Sequence, residues 1–437
     1  LPLLMALLGV AIGVGGTLAL SSLIDMQSIT PALALMLGLA VGIDYSLFIV
    51  HRHRTQLLAG MEPRESVARA IGTSGNAVVF AGLTVIIALA ALIVPGIPFM
   101  AVLGVSAAFT VLVAVLISIT LTPALLGFMG EKVLTKKHRA QRRAANAPGA
   151  AGIGSGGVPA PANGAKRSAS RWWAEELTRR PWLYAIASFA VLAVIAIPAL
   201  SMQTALPDGG SEPHGSDAQR AYEVTSQHFG AGFNGPLIVL AELPKGTADQ
   251  AAADTALLDV AESITGVDGV YAALPVGTNE ALTYGAIQVL PTTGPASPET
   301  EAVVHTLRDL EAQIFADTGV TTSVTGQVAA QVDVSEQITS ALAPYLAIVV
   351  GLSLILLMLV FRSIVVPILA TAGFLLSLAA SFGATVAVYQ WGWLGPIFGV
   401  YNPAPIMSFL PILLTGILFG LAMDYQVFLV TAIREAY

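Results

Sequence analysis

Long apolar runs separated by short polar breaks occupy most of the chain, and a single polar block, 201–341, interrupts them. The runs cover approximately 1–23, 31–52, 76–94, 99–128, 181–200, 342–361 and 364–388, with an eighth at 405–432. A hydrocarbon core of about 30 Å needs roughly 20 helical residues, so the pattern predicts eight membrane-spanning helices. Pro95-Gly96-Ile97-Pro98 predicts a tight turn between the third and fourth, and Arg362-Ser363 a short turn between the sixth and seventh. Inside the polar block the periodicity changes. It predicts helix (217–229), strand (237–240), helix (247–264), strand (269–274), strand (282–290), helix (298–316) and strand (320–325). From its first strand onward this is the β-α-β-β-α-β order of a ferredoxin-like, split βαβ arrangement.

Composition agrees with the pattern: 55% of residues are hydrophobic, 11% are charged, and the mean hydropathy is +0.77. The expected fold class is an α-helical polytopic membrane protein with a repeated helix bundle, plus an α+β, ferredoxin-like extracytoplasmic domain. The absence of cysteine excludes disulfide scaffolds, thiolate metal sites and cysteine catalysis.

The position of charge predicts orientation, because cytoplasmic loops carry the excess of lysine and arginine. Of the 20 basic residues, four lie between Arg52 and Arg69 and eleven between Lys132 and Arg180, which places both loops inside. Alternation then puts 201–341 outside, where 18 acidic side chains face only three basic ones, Arg220, Lys245 and Arg308. The expected organisation is 1–128, helices of a first repeat; 129–180, a cytoplasmic linker; 181–200, a further span; 201–341, the extracytoplasmic domain; and 342–437, helices of a second repeat. The linker has a basic start, Lys136-Lys137-His138-Arg139, and an Ala/Gly/Pro-rich middle that cannot bury a core. Trp172, Trp173 and Trp182 read as an interfacial anchor. Glu62–Ile71 reads as a short amphipathic helix on the inner membrane surface.

The candidate chemistry sits inside two apolar runs. Asp44-Tyr45-Ser46-Leu47-Phe48-Ile49-Val50 and Asp424-Tyr425-Gln426-Val427-Phe428-Leu429-Val430 are copies of one pattern, D-Y-x-[LV]-F-[IL]-V. The spans preceding them also correspond, with Leu1-Pro2-Leu3-Leu4 matching Val366-Pro367-Ile368-Leu369. An ionisable group near a bilayer centre costs at least about 2.5 to 3.5 kcal/mol, while interhelical hydrogen bonding returns about 0.6 kcal/mol on average, so a packing role poorly explains two of them. Asp44 lies about eight residues, or ~12 Å, from its cytoplasmic helix end, and Asp424 at similar depth.

The expected relay is therefore Asp44, Tyr45, Asp424 and Tyr425, with each tyrosine able to donate to the carboxylate of the opposite repeat. Small residues around it, Gly38, Ala40, Gly42, Gly416 and Gly420, are expected to admit a neighbouring helix, and Phe48 and Phe428 to pack or to plug the cytoplasmic side. Loading and unloading of protons would switch the helix interface between two packings. Arg54 and Arg434, ten residues past each aspartate, read as helix C-terminal cations. His51, His53, His138, His214, His228 and His305 show no metal spacing. No metal, cofactor, nucleic acid or enzymatic chemistry is expected, and no phosphate-binding glycine loop supports ATP-driven transport.

At these Asp-Tyr motifs, with the glycine-rich stretches Gly38–Gly42 and Gly416–Gly420 ahead of them, the chain resembles the MmpL family of the resistance-nodulation-division superfamily, bacterial exporters of lipids and other hydrophobic molecules. The resemblance implies that the motifs fall in the fourth and tenth helices of a twelve-helix plan, that 201–341 is the second porter domain, and that the Asp-Tyr pairs carry proton traffic. It also implies an internal fragment, since two helices and a porter domain would precede Leu1 and two helices follow Tyr437. The expected function is proton-motive-force-driven export of a lipidic or hydrophobic molecule across the bacterial inner membrane, with protons, substrate and membrane lipids as partners and an oligomer left open. The alternatives are a SecDF-like accessory to protein translocation and a Patched-like sterol or lipid handler.

Overall fold

A helix satisfies its backbone polar groups internally, which is the condition for crossing lipid. In the computed structural model, which describes residues 1–22, 24–134 and 169–436, the chain forms α1 (Pro2–Leu20), α2 (Ile29–Leu58), α3 (Pro63–Ala70), α4 (Asn76–Ala90), α5 (Pro98–Ile119) and α6 (Leu121–Met129). Further on come α7 (Ala169–Arg179), α8 (Pro181–Ala196), α13 (Gln327–Phe361), α14 (Val365–Thr385) and α16 (Leu410–Ala436), with α9 to α12 and the short α15 (Gly395–Phe398) described below or between them.

Among the described residues seven helical stretches are long and apolar enough to cross a membrane: Pro2–Leu20, Ile29–Leu58, Pro63–Ile93, Pro98–Val133, Pro181–Ser201, Gln327–Leu359 and Val365–Gln390. The eighth expected span falls on α16, where the apolar stretch within the described residues is the shorter Leu410–Met423. Two local expectations are met by geometry: Gly96 takes φ +71° in the turn before Pro98, and Arg362 takes φ +49° between α13 and α14.

Glu62–Ile71 is not a separate surface helix. α3 runs through a π-helical turn, Ile71–Gly75, directly into α4, and Ser66 and Ala70 are buried against the rest of the bundle. Gly72 and Gly75 would allow a break before Asn76, yet the backbone stays helical through both. The linker section 135–168, including Lys136 to Arg139 and His138, lies outside the described residues.

The chain divides into two compact units, Leu1–Ala193 with Leu342–Leu378 and Ile412–Tyr437, and Val194–Ala341 with Ala379–Pro411. In the first, α1 packs on α2 and α5, and α5 on α2 and α4. Lipid provides no hydrophobic drive between helices, so close approach through small residues holds them. Gly13 and Gly38 face Thr110, Gly42 faces Ala6, and Gly82 faces Val115. Large apolar side chains such as Leu3, Leu4, Leu7 and Ile12 remain exposed, the surface a helix presents to lipid.

In the second unit, α9 (Asp217–His228), α10 (Gln250–Thr265), α11 (Pro298–Asp309) and α12 (Glu311–Thr318) accompany a four-stranded antiparallel sheet. Its strands are β2 (Leu237–Glu242), β3 (Val270–Thr278), β4 (Tyr284–Pro291) and β5 (Thr321–Thr325), in the order β3-β4-β2-β5. Alternation on β2 buries Leu237, Val239 and Ala241, and the helical period of α10 buries Ala253, Leu257, Val260, Ala261 and Ile264 in the same core. Ser216, Asp249 and Ser297 cap α9, α10 and α11 through their side-chain oxygens. The single helix expected over 298–316 is broken at Leu310 (φ −78°, ψ −9°), with no glycine or proline to announce it.

The unit also extends past 341. β1 (Thr204–Ala205) pairs in parallel with β6 (Ile406–Met407), so residues 405–409, expected as the start of the eighth span, belong here with the segment before them, and the helix begins only at Leu410. Two-residue strands carry too little periodicity to be read from sequence.

Candidate functional site

Successive residues on a helix point about 100° apart, so Asp44 and Tyr45 cannot share an environment. On α2 the buried stripe is Ala34, Leu37, Gly38, Val41, Gly42, Tyr45 and Ile49, and Tyr45 is only 1% exposed. Ala40, Asp44 and Phe48, spaced by four, form a neighbouring stripe that is more open: Ala40 is exposed, and Asp44 and Phe48 are half-buried. Packing against α1 and α5 therefore rests on Gly38 and Gly42, while the stripe carrying the carboxylate is left for another helix.

That helix is α16. The Tyr425 hydroxyl donates to Asp44 Oδ2 at 2.8 Å, joining the second motif to the first across 381 positions. Tyr425 is 54% exposed, in contrast to Tyr45. The rest of α16 is seated by its small residues. A Cβ on Gly416 would stand 2.5 Å from Tyr345 Oη, and one on Gly420 would stand 3.0 Å from Val85. Tyr345, buried, donates to the Ala88 carbonyl at 3.1 Å, and Gln426 Nε2 donates to the Ala370 carbonyl at 3.3 Å. The backbone of Asp424 belongs to α16; its side chain and those of Phe428 and Arg434 lie outside the described residues. Arg54 stands before the last turn of α2 rather than in it, because the helix continues to Leu58.

An ionised carboxylate accepts hydrogen bonds only, whereas a protonated one also carries an O–H donor. The Tyr425–Asp44 contact can therefore exist in two donor patterns, one for each protonation state of the carboxyl group. Polar groups not singled out in the sequence lie on the same bundle. Ser46 Oγ is 3.3 Å from Ser118 Oγ and 3.4 Å from Thr122 Oγ1, all three buried. At the end of α2, His53 Nδ1 meets Ser66 Oγ at 2.8 Å, tying α3 to α2. Hydroxyls inside apolar runs were the available signal, but their pairing needs the fold.

The second unit holds a cavity of about 460 Å³. Leu206, Tyr389, Phe398, Val400, Ile406 and Leu410 give it an apolar lining, and His214, also on its wall, stacks on Tyr401 with ring centroids 4.5 Å apart.

The model of the MMPL family matches residues 1–184 and 212–437. The chain belongs to the MMPL family. As an MMPL protein with seven membrane-length apolar helices among its described residues, it is a multi-pass protein of the bacterial plasma membrane. It is 39% identical to membrane protein YdfJ of Bacillus subtilis over 100% of this chain and 56% of that protein. It is 30% identical to the mycolic acid-containing lipids exporter MmpL11 of Mycolicibacterium smegmatis, over 100% of this chain and 44% of that one. The chain thus spans about half the length of these curated relatives. A crystal structure of SecDF covers 98% of this MMPL chain and 52% of its own at 15% identity and a TM-score of 0.35, a likeness that carries no argument.

Proposed function

We propose that this chain is the coupling half of a proton-driven exporter of lipidic or other hydrophobic molecules. The observation that carries the reading is the hydrogen bond from Tyr425 to Asp44, which puts a titratable group at the junction of two repeated helices, where coupling sites of transporters lie. Asp44 is the proton-binding group, Tyr425 its cross-repeat partner, and Asp424 with Tyr45 the corresponding pair of the other repeat. Protonation changes the donor pattern at the α2–α16 contact and so favours one helix packing over the other. The lipid-exporter name of a relative and the apolar cavity of the second unit support a hydrophobic substrate. That unit is read as a ferredoxin-like porter domain on the outer side of the membrane, supported by the sheet order and by its excess of acid over base. The positive loops 52–69 and 132–180 are read as cytoplasmic.

The test is transport of a fluorescent acyl lipid by the full-length protein in liposomes with an imposed pH gradient. Efflux that continues unchanged after an ionophore collapses the gradient would end the proposal. In the same assay Tyr425→Phe is expected to lower coupled transport about tenfold or more, the equivalent of a hydrogen bond to a charged group at ~1.5 to 3 kcal/mol. Because Tyr425 is half exposed, the loss of thermal stability should fall at or below the low end of that range, and the folded fraction should be retained. Phe398→Asp, at an exposed position on the cavity wall, is expected to cut photo-crosslinking of a diazirine fatty acid severalfold while leaving the folded fraction on size-exclusion chromatography unchanged.

A further inference from the structure

Away from the Asp-Tyr contact, two helices of the second unit bring three metal-ligating side chains together. Glu301 and His305 stand one turn apart on α11 and so share a face, and Glu336 projects to them from the start of α13. One ligand atom from each lies within 4.8 Å of the others, and His305 Nε2 is 2.7 Å from Glu336 Oε1. Two carboxylates facing one imidazole leave negative charge uncompensated whichever way the histidine titrates. The neighbouring cation supplies only part of the balance: Arg308 is held in a bidentate pair by Asp333 at 2.7 and 2.9 Å, and its attraction to Glu336 is the weaker one. That pair already ties α11 to α13, so joining the helices does not require His305 and Glu336.

We propose that Glu301, His305 and Glu336 form a binding site for one divalent transition-metal cation, of which zinc is the fitting representative. Carboxylate oxygen and imidazole nitrogen without thiolate suit zinc at about 2.0 to 2.2 Å, which in a tetrahedral site places two ligand atoms ~3.4 Å apart, so side-chain rotation has to open the 2.7 Å His305–Glu336 pair and draw in atoms that now stand up to 4.8 Å apart. Three protein ligands leave a fourth position for water. Access is provided: Glu301 and Glu336 line a cavity of about 840 Å³, and the His305 and Glu336 side chains are 43% and 44% exposed.

The experiment titrates zinc chloride into the untagged full-length protein in detergent, read by competition with a chromogenic chelator. Wild type is expected to take up one tight equivalent. His305→Ala, Glu301→Gln and Glu336→Gln should each weaken it about 10- to 100-fold, while His228→Ala leaves it unchanged. Zinc absorption spectroscopy on the wild type, which does not depend on any variant folding, should give an oxygen and nitrogen shell with one imidazole. No saturable uptake, uptake unaffected by all three substitutions, or a shell of several imidazoles would overturn the site. So would a Glu301→Gln variant with wild-type affinity, which would leave His305 and Glu336 as an interhelical ion pair alone.

Discussion

Asp44→Asn is expected to reduce substrate accumulation by the full-length protein to the level of vesicles without a pH gradient. The amide keeps the shape of the carboxyl group and can still accept from Tyr425, so the 2.8 Å contact between α16 and α2 should persist. What it cannot do is bind and release a proton. One elementary charge crossing 100 mV is worth about 2.3 kcal/mol, and at 1.36 kcal/mol per decade this supports roughly 50-fold accumulation per proton. The measurement is lipid efflux from proteoliposomes, with proton uptake followed by an internal pH dye. Retention of proton uptake by Asp44→Asn would show that the coupling group is elsewhere.

Replacing Gly38 and Gly42 together by leucine is expected to unfold the helix bundle in detergent. A Cβ at Gly38 would stand 2.5 Å from Thr110 Cγ2 and 3.2 Å from Val10 Cγ2, and one at Gly42 would stand 3.1 Å from the Ala6 backbone. At Gly42 the obstacle is backbone, so relief requires α1 to move as a whole. Overpacking of this kind costs about 1 to 3 kcal/mol per site for a single added group, and leucine adds several. A scan of fluorescence-detected size exclusion after heating should show loss of the monodisperse peak well below the wild-type transition. Gly15→Ala is the control: a Cβ there meets nothing within 4 Å, and alanine is the better helix former. If the double substitution melts with wild type, the α1–α2–α5 contact is not what holds the bundle.

By itself the sequence determined roughly where the membrane-length helices run, because the length of an apolar run decides that locally, even through Pro344 in α13. It also determined the strand–helix order of the polar block, through the change of period, and the two Asp-Tyr motifs, because a carboxylate is costly in lipid wherever the helix turns it. The tertiary structure decided the rest. Which stripe of α2 is buried depends on α1 and α5, so Tyr45 went inside while Asp44 was left for Tyr425 of a helix 381 residues away. The joining of α3 to α4 and the pairing of Thr204 with Ile406 rest on contacts too short or too distant to leave a period. The grouping of Glu301 and His305 with Glu336 is of the same kind: His305 showed no metal spacing in the sequence, because one carboxylate a turn away is no signature by itself and the third side chain arrives only where α11 and α13 lie side by side. Periodicity reports the environment a segment needs, and only the folded chain chooses which partner supplies it.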